Sequence, residues 1–286
     1  MTVNDRKIRI LELKTNHALS KSGLPELDYA LNPYLGCLHA CIYCFAIDFT
    51  SEREARENWG SVVAVKTNLL ETLRKEIIGK RRGIVGVSTI TDPYQAIEGK
   101  YRLTRESIRM LTENGFRVSV QTKSPLVTRD KDIFANHRKI VDVGMTVTSL
   151  DPKMWTLIEP GSPPPISRVR ALKILGSENI STWIFLGPVM KGLNDSRKSL
   201  EEVISAAAES GSRIIFDRFE MYNGASRLIQ KAGLDLNPLS DASSMSLWWE
   251  STRHTIESLC ESGGVTCTYQ PDEWKYERSK NFGSLF

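Results

Sequence analysis

The chain has 286 residues, 41% of them hydrophobic, which suits one large domain such as an α/β barrel with a modest extension better than two independent domains. Its 38 Lys and Arg residues against 34 Asp and Glu residues give a formal net charge of +4, which permits an anionic partner without requiring one. The first ten residues lack the apolar segment of a signal peptide, and no apolar run approaches the ~18 residues of a spanning helix. These features argue against a membrane protein and predict a cytoplasmic one.

From about residue 29 onward, short β-rich runs alternate with amphipathic helical runs. The run GIVGVSTI (83–90) is almost continuously apolar, as in a strand buried on both faces, and FRVSVQT (116–122) alternates apolar with polar residues. Six predicted strands cover, in chain order, residues 29–35, 83–90, 116–122, 143–149, 181–187 and 213–221. Because single helical segments separate these strands, the pattern predicts parallel βαβ units. Six units suit an open, partial barrel better than a closed eightfold one.

The C-terminal part departs from this alternation. Residues 242–264 predict one long amphipathic helix, and residues 265–270 predict a further strand that completes or caps the barrel. The predicted organisation is therefore an N-terminal extension over 1–28, a partial barrel over 29–221, and a C-terminal helix-strand extension over 222–286 that packs on the barrel.

Three of the five cysteines crowd into one short segment, NPYLGCLHACIYCFA (32–46), after the first predicted strand. Their spacing is C-x3-C-x2-C, at Cys37, Cys41 and Cys44. In a reducing compartment, clustered thiols more often bind metal or do redox work than form disulfides. A zinc site would need a fourth ligand, for which His39, Cys260 and Cys267 are candidates. Iron–sulfur clusters usually take four cysteines, and a 4Fe-4S cube held by three leaves one iron open to a small molecule.

The pattern C-x3-C-x-aromatic-C, with Tyr43 as the aromatic residue, resembles the signature of the radical S-adenosylmethionine (SAM) superfamily. The resemblance implies a partial (β/α)6 barrel and a 4Fe-4S cluster bound by Cys37, Cys41 and Cys44. In that superfamily the open iron chelates the amino and carboxylate groups of SAM, and reductive cleavage releases a 5′-deoxyadenosyl radical that abstracts hydrogen. The implied partner is an electron donor such as a ferredoxin or a flavodoxin.

Further segments resemble the group of radical SAM enzymes related to spore photoproduct lyase and, with the cysteine segment, span about residues 30–220. They are STITDPYQAIEGKYRLTR (88–105), QTKSPLVTRD (121–130), TSLDPKMWTLIEPGSPPPISRVRAL (148–172) and GPVMKGLND (187–195). Spore photoproduct lyase itself carries, near the end of the second strand, a cysteine that returns a hydrogen atom to the substrate radical. This chain has Thr89 at the approximate position, so thymine-dimer reversal is not expected. Cys260 and Cys267 are weak candidates for a hydrogen donor and are better explained as core residues.

The resemblance also implies which side chains contact SAM. Thr91, at the end of the second predicted strand, takes the position that contacts the methionine amino group, and Lys123, at the end of the third, takes the position that contacts the carboxylate. Ser149, after the fourth strand, takes the position of a ribose contact, beside Asp151. Tyr43 is expected to pack on or beside the adenine. Residues at the C-terminal ends of barrel strands are usually functional, which supports these positions.

Several of these residues have a structural alternative. Asp92 is a further cofactor-binding candidate. Both Asp92 and Asp151 precede a proline, and at such a position a carboxylate that caps a turn is expected as much as a cofactor contact. Glu159 and Arg168 recur in the resembled pattern, and we interpret them as a structural ion pair or as support for the cofactor. For His39, a position beside the ligands or at the surface is favoured over metal ligation.

Two classes of function follow. The first is a radical SAM enzyme that abstracts hydrogen from a nucleic acid, a peptide or a small molecule. Aromatic and basic residues near the C-terminus can stack bases and meet phosphate, although core packing is favoured for the helical ones; they are Trp248, Trp249, Trp274, Tyr276, Arg278 and Lys280. The alternative is a non-enzymatic zinc or iron–sulfur module that binds nucleic acid through its mild positive charge.

Overall fold

The structure, a computed structural model, describes residues 7–234 and 242–272 of the chain. Its strands are β1 Arg9–Leu13, β2 Leu19–Lys21, β3 Tyr29–Leu31, β4 Tyr34–Leu35, β5 Val62–Lys66, β6 Ile84–Val87, β7 Arg117–Thr122, β8 Val141–Thr146, β9 Ser181–Val189, β10 Arg213–Arg218 and β11 Cys267–Tyr269. Its helices are α1 Ala46–Phe49, α2 Arg53–Glu57, α3 Leu69–Gly79, α4 Glu98–Tyr101, α5 Leu103–Glu113, α6 Lys131–Asn136, α7 Pro152–Ile158, α8 Pro165–Ser177, α9 Arg197–Ser210, α10 Asn223–Lys231 and α11 Ala242–Ser262, and a 3-10 helix covers Pro125–Asp130.

A curved sheet with the order β11-β10-β9-β8-β7-β6-β3-β2 forms the barrel wall. Every neighbouring pair from β3 to β11 is parallel, and β2 adds an antiparallel edge beside β3. All six residues of β8 are buried, as expected for a parallel strand covered on both faces. In the described part of the chain β2 and β11 do not pair, so the sheet stays open. The predicted partial α/β barrel is confirmed.

The first predicted strand, 29–35, divides into two strands that belong to different sheets. Residues of β3 join the barrel wall, whereas β4 pairs with β5 in a smaller sheet that also contains β1. The break falls at Asn32 and Pro33, and proline has no N–H with which to continue a ladder. Asn32 accepts a hydrogen bond from the Ile90 N–H at 3.1 Å instead, which ties the break to the end of β6.

Both predicted extensions contribute to the sheets. From the N-terminal one, β1 pairs with β5 and β2 pairs with β3. From the C-terminal one, β11 pairs with β10, so the predicted strand at 265–270 becomes a seventh parallel strand of the wall. The domain boundaries at residues 28 and 221 stay predictions.

The predicted long helix at 242–264 corresponds to α11, which packs against α9 and β11. Trp249 on this helix is buried and contacts the rings of Phe216 and Tyr269, as core packing requires. Trp248 is half-buried, and its Nε1 donates a hydrogen bond to Asp195 at 2.8 Å. Of the other nucleic-acid candidates, Trp274, Tyr276, Arg278 and Lys280 lie outside the described residues. None of the helices within 7–234 and 242–272 is long and apolar enough to cross a membrane.

A tryptophan packs closely against the neighbouring strand inside the barrel. The indole of Trp183 on β9 lies over Gly144 on β8, where a Cβ atom would come within 2.2 Å of the ring. Its Nε1 donates to the Asp142 carboxylate at 2.9 Å, and Ser119 donates to the same oxygen at 2.7 Å. Trp183, Ser119 and Asp142 all line a cavity inside the barrel, which also reaches Ile84, Arg117 and Arg213 at the beginnings of β6, β7 and β10.

Candidate functional site

A cavity of about 400 Å³ lies inside the barrel and reaches the ends of β6, β7 and β10. Eight of the side chains that the sequence analysis considered line it: Cys37, His39, Cys41, Tyr43, Cys44, Thr91, Asp92 and Lys123. Four do not line it: Ser149, Asp151, Cys260 and Cys267. Thr89, at the position where the resembled lyase has a cysteine, is also part of the wall. The tertiary structure therefore brings the cysteine loop together with the ends of two strands.

The first half of the cysteine loop is held by residues that follow β6. Gly36 has φ +83, and a Cβ atom there would come within 2.7 Å of the Val62 carbonyl oxygen, so only glycine fits. Its carbonyl accepts hydrogen bonds from Thr91 Oγ1 at 2.6 Å and from Gln95 Nε2 at 3.2 Å. The Leu38 N–H donates back to Gln95 Oε1 at 3.0 Å. The chain thus turns into the cavity directly before Cys37.

The second half of the loop is held from the other side, by α7 and the residues after it. The Ile42 N–H donates to the Ile158 carbonyl at 3.0 Å, and the Gly161 N–H donates to the His39 carbonyl at 2.9 Å. A Cβ atom at Gly161 would come within 2.3 Å of the Leu38 carbonyl oxygen, so the two segments are in direct backbone contact. Because both halves are anchored, the thiols face the cavity from a preformed loop.

Burial raises the pKa of all three loop thiols. The pKa of Cys41 rises to about 12 although Lys123 opposes the shift, that of Cys37 lies well above its usual value, and that of Cys44 is also raised. Metal coordination deprotonates such thiols outright. Across 7–234 and 242–272, no three His, Cys, Asp or Glu side chains converge as ligands of a single ion. The pKa of Cys37 is raised by burial and also by Asp92, Cys41 and Cys44, so the three thiols lie close enough to interact, as the ligands of a 4Fe-4S cluster would.

Lys123 places an ammonium group beside these thiols. Its Nζ lies 5.6 Å from the centre of the Tyr43 ring, and within the described residues it makes no hydrogen bond or ion pair. Burial alone would lower its pKa, but the negative charges of Cys41 and Glu159 raise it above the ordinary value. The group therefore stays charged in the cavity wall, where it can bind a carboxylate.

The Tyr43 hydroxyl faces away from the cavity, into a buried polar cluster. It donates to the Glu159 carboxylate, which also accepts from Thr148 Oγ1 at 3.1 Å and forms an ion pair with Arg168. Burial would raise the pKa of Glu159, but Arg168, Lys123 and these hydrogen bonds lower it to about 2. The predicted ion pair is confirmed, and it orients the Tyr43 ring under the Lys123 ammonium.

Thr91 and Asp92 both have internal partners. Besides donating to Gly36, the Thr91 hydroxyl accepts from Gln95 Nε2 at 2.9 Å, so its hydrogen-bonding capacity is largely used within the protein. The Asp92 carboxylate accepts from the Tyr94 N–H at 2.9 Å, which is the turn that the following proline predicted. The same carboxylate borders the cavity, so its turn position and its cavity position coexist.

Ser149 and Asp151 are brought to a different place. The predicted fourth strand, 143–149, forms as Val141–Thr146, so it is Thr146 and not Ser149 that reaches the cavity. The Ser149 hydroxyl is buried and accepts from the Asp151 N–H at 3.1 Å, and the Asp151 carboxylate caps α7 through the Lys153 N–H. Asp151 thus has the turn role. The ribose contacts proposed for the two residues stay predictions.

The two remaining cysteines lie outside the cavity. Cys260 lies on α11 and is almost fully buried in the main core, and Cys267 lies half-buried on β11. Neither lines the cavity, as the core interpretation predicted. They are therefore poor candidates for a hydrogen donor and for a fourth ligand to the loop.

Sequence analysis missed Ser88, directly after β6. Its φ of +66 lies in the left-handed region, which only glycine adopts routinely. Its hydroxyl is buried, lines the cavity and has no hydrogen-bond partner in the described part of the chain. A strained backbone and an unpaired buried hydroxyl together make Ser88 a candidate functional residue. No local pattern signals a left-handed serine, so the sequence carries no sign of this residue.

Comparisons with known proteins find matches over about two thirds of the chain. The profile of the Radical SAM superfamily matches residues 31–205. An uncharacterised protein of Methanocaldococcus jannaschii is 33% identical over 189 residues, which are 66% of this chain and 71% of that protein. An uncharacterised protein of Mycobacterium tuberculosis is 32% identical over 207 residues, which are 69% of this chain and 59% of that protein.

Solved structures share the fold at low sequence identity. A mutant of spore photoproduct lyase with bound AdoMet and dinucleoside spore photoproduct superposes with a TM-score of 0.71 at 14% identity, over 94% of this chain and 83% of that chain. Streptococcus suis SuiB bound to S-adenosylmethionine superposes with a TM-score of 0.58 at 15% identity, over 84% of this chain and 49% of that chain. At these identities the likeness concerns the fold.

Proposed function

The chain belongs to the radical SAM superfamily, and from that premise we propose that this enzyme binds a 4Fe-4S cluster through Cys37, Cys41 and Cys44 and cleaves SAM reductively. The observation that carries the proposal is that the three thiols of one loop border the same cavity as the unpaired Lys123 ammonium. When bound, the cluster supplies one electron to the sulfonium of SAM, which yields methionine and a 5′-deoxyadenosyl radical that takes hydrogen from a substrate. A ferredoxin or a flavodoxin is the proposed reductant.

The charged side chains that border the cavity complement the methionine part of SAM, which carries a carboxylate and an ammonium group. Lys123 has its largest electrostatic interactions with Cys41 and Glu159, whereas Asp92 interacts with Cys37. A cationic and an anionic side chain therefore both border the cavity beside the loop, which complements the carboxylate and the ammonium of the methionine part of SAM. In this proposal Lys123 binds the carboxylate, and Asp92 with Thr91 forms the wall on the ammonium side.

The placement of the other ligand candidates supports a cluster over zinc. A tetrahedral zinc site needs four ligands. Cys260 and Cys267 do not border the cavity, so neither can complete a zinc site with the loop thiols. His39 does border it, and its Nδ1 atom lies 3.2 Å from the Asp92 carboxylate. The superfamily match over residues 31–205 supports the cluster, in which the fourth partner of the three thiols is an external molecule. The substrate remains one of three classes: nucleic acid, peptide or small molecule.

The test is anaerobic reconstitution with iron and sulfide, followed by dithionite and SAM and an assay for 5′-deoxyadenosine. The wild type is expected to retain iron and sulfide and to release 5′-deoxyadenosine. Cys37→Ala, Cys41→Ala and Cys44→Ala are expected to lose both properties, while Cys260→Ala and Cys267→Ala retain them. Zinc in place of iron, or cofactor cleavage unchanged in the three loop variants, would contradict the proposal.

A further inference from the structure

Ser88 directs a polar side chain into the cavity at the point where β6 ends. Successive side chains of a strand point to opposite faces of its sheet. On β6, Val85 and Val87 belong to the hydrophobic core. Ile84 and Gly86, which alternate with them, line the cavity, and Ser88 continues this inward row. The hydroxyl is therefore presented to a molecule that enters the barrel.

The side chain of Ser88 is unfavourable for the protein by itself. The residue is 7% exposed, and its hydroxyl has no hydrogen-bond partner among the described residues. Its backbone has φ +66 and is fixed there by the Ser88 N–H, which donates to the Leu31 carbonyl at 2.8 Å. A glycine would adopt this conformation without strain and would bury no hydroxyl. A buried hydroxyl without a partner costs stability, and a molecule in the cavity can supply the partner.

Ser88 and Asp92 lie on the same side of the cavity. Val87, the residue before Ser88, pairs with Val120 on β7. Two residues further along β7, the Thr122 hydroxyl donates to Asp92 Oδ1 at 2.7 Å. The Ser88 hydroxyl and the Asp92 carboxylate thus both belong to the β6–β7 side, where the proposed function places the amino group of SAM.

The other polar side chains between residues 88 and 92 already have partners within the protein. Thr89 Oγ1 accepts from Asn32 Nδ2 at 3.4 Å. Thr91 Oγ1 both donates one hydrogen bond and accepts another. Both oxygens of Asp92 accept hydrogen bonds from the protein. Of the four polar side chains in this stretch, Ser88 is therefore the one whose oxygen has both lone pairs left for an N–H group of a ligand.

We propose that Ser88 is a SAM-binding residue whose hydroxyl oxygen accepts a hydrogen bond from the amino group of the methionine part. The inference rests on the proposed function, because that amino group meets Ser88 only if SAM enters this cavity. In this arrangement Asp92 supplies the negative charge beside the amino group, and Ser88 supplies the hydrogen bond. Thr91 then has the structural task of holding the Gly36 carbonyl at the start of the cysteine loop.

The experiment compares Ser88→Ala with Ser107→Ala. Ser107 on α5 is the matched control, because it is also buried and its hydroxyl also has no partner in the part of the chain that the structure describes, but it does not line the cavity. Both variants are reconstituted with iron and sulfide, and the dissociation constant of SAM is measured by anaerobic equilibrium dialysis. Ser88→Ala is expected to keep the iron and sulfide content of the wild type and to bind SAM about tenfold more weakly, the loss expected for one buried hydrogen bond. Ser107→Ala is expected to bind SAM as the wild type does.

Urea unfolding of the metal-free proteins separates a ligand contact from a structural role. The unfolding midpoint of Ser88→Ala is expected to be at or above that of the wild type, because the substitution removes a buried hydroxyl that has no partner. Ser88→Gly loses the same hydroxyl, so its SAM affinity is expected to stay within about threefold of that of Ser88→Ala. Its unfolding midpoint is expected to be the higher of the two, because glycine adopts a positive φ without strain.

Four results would overturn the inference while leaving the proposed function standing. Wild-type SAM affinity in Ser88→Ala would leave the hydroxyl for the substrate, and an equal loss of affinity in Ser107→Ala would trace the effect to packing. A lower unfolding midpoint in metal-free Ser88→Ala would assign the hydroxyl a structural role, and loss of iron and sulfide in that variant would assign it to cluster assembly. If the reconstituted wild type binds iron and sulfide but not SAM, the proposed function fails and the inference falls with it.

Discussion

The Tyr43 hydroxyl donates a hydrogen bond to the Glu159 carboxylate, although 116 positions separate the two residues in the chain. Glu159 and Arg168 form an ion pair whose side chains are both fully buried. Arg168 also donates to the Thr146 carbonyl at the end of β8 at 2.9 Å. One buried charge pair thus connects the aromatic residue of the cysteine loop with the wall of the barrel.

Removal of Arg168 is expected to be severe. Arg168→Met leaves the Glu159 carboxylate buried without its counter-ion, which costs about 3–5 kcal/mol of unfolding free energy. Urea unfolding of the metal-free wild type and variant measures this loss of unfolding free energy. Lys173→Met, which breaks the exposed pair with Glu209, is the control and is expected to cost less than about 1 kcal/mol.

The double variant Arg168→Met/Glu159→Gln tests whether the unpaired Glu159 charge causes the loss of stability in Arg168→Met. Removing both charges abolishes the unpaired carboxylate, so part of the stability lost in Arg168→Met is expected to return. If Arg168→Met costs no more than Lys173→Met, the pair does not have the buried environment described above.

Removal of the Lys123 charge is expected to weaken SAM binding. Lys123→Met keeps the length of the side chain but loses the ammonium, and a charge-assisted contact to a carboxylate accounts for at least about tenfold in affinity. Equilibrium dialysis of the reconstituted protein measures the change. Lys131→Met, whose ammonium pairs with Glu178 at the surface, serves as the control and is expected to leave SAM affinity unaltered. An unchanged dissociation constant in Lys123→Met would remove this residue from the SAM site.

The packing of Trp183 on β8 allows no added atom at Gly144. Gly144→Ala would bring a Cβ within 2.2 Å of the Trp183 ring, so the indole must move and its hydrogen bond to Asp142 must lengthen. We expect a loss of about 1–3 kcal/mol in unfolding free energy, together with an altered near-UV circular dichroism spectrum. Gly99→Ala on α4 has no atom within 4 Å of the new Cβ and is expected to be neutral or slightly stabilising. Equal stability of the two variants would contradict the described packing.

The carboxyl group of Asp217, at the end of β10, is expected to make the unfolding free energy depend on pH. Burial raises the pKa of its carboxyl to about 6, with a further contribution from Glu220. Because the folded-state pKa is above the unfolded one, the stabilising contribution is fully present below about pH 4 and is lost as the pH rises through 6.

Asp217→Asn removes this titration and is therefore expected to be more stable than the wild type at pH 8 by about 1–2 kcal/mol, after allowance for solvent screening. Near pH 4 the two proteins are expected to differ little. Urea unfolding at several pH values gives the profile, and a difference that does not depend on pH would show that the carboxyl is not desolvated.

The sequence by itself determined the features that depend on residues close together in the chain. The spacing of Cys37, Cys41 and Cys44 is set by the covalent chain, and it predicted a shared binding site; in the structure the three thiols border one cavity. Strand periodicity placed Lys123 directly after β7, because parallel strands show their burial pattern in consecutive residues. It also placed Thr91 at the end of a strand over 83–90, but β6 ends at Val87, so Thr91 lies four residues beyond it. The open α/β barrel followed from the same alternation of strands and helices.

Long-range pairing was decided only by the tertiary structure. His39 meets Asp92, and Tyr43 meets Glu159, through contacts that no local pattern encodes, since their partners come from separate βα units. The end of β8 at Thr146 is set by pairing with its neighbours, which is why Ser149 lies beyond the cavity. Spacing along a chain fixes which groups can act together within a loop, but only the packing of distant segments fixes which groups meet across the barrel.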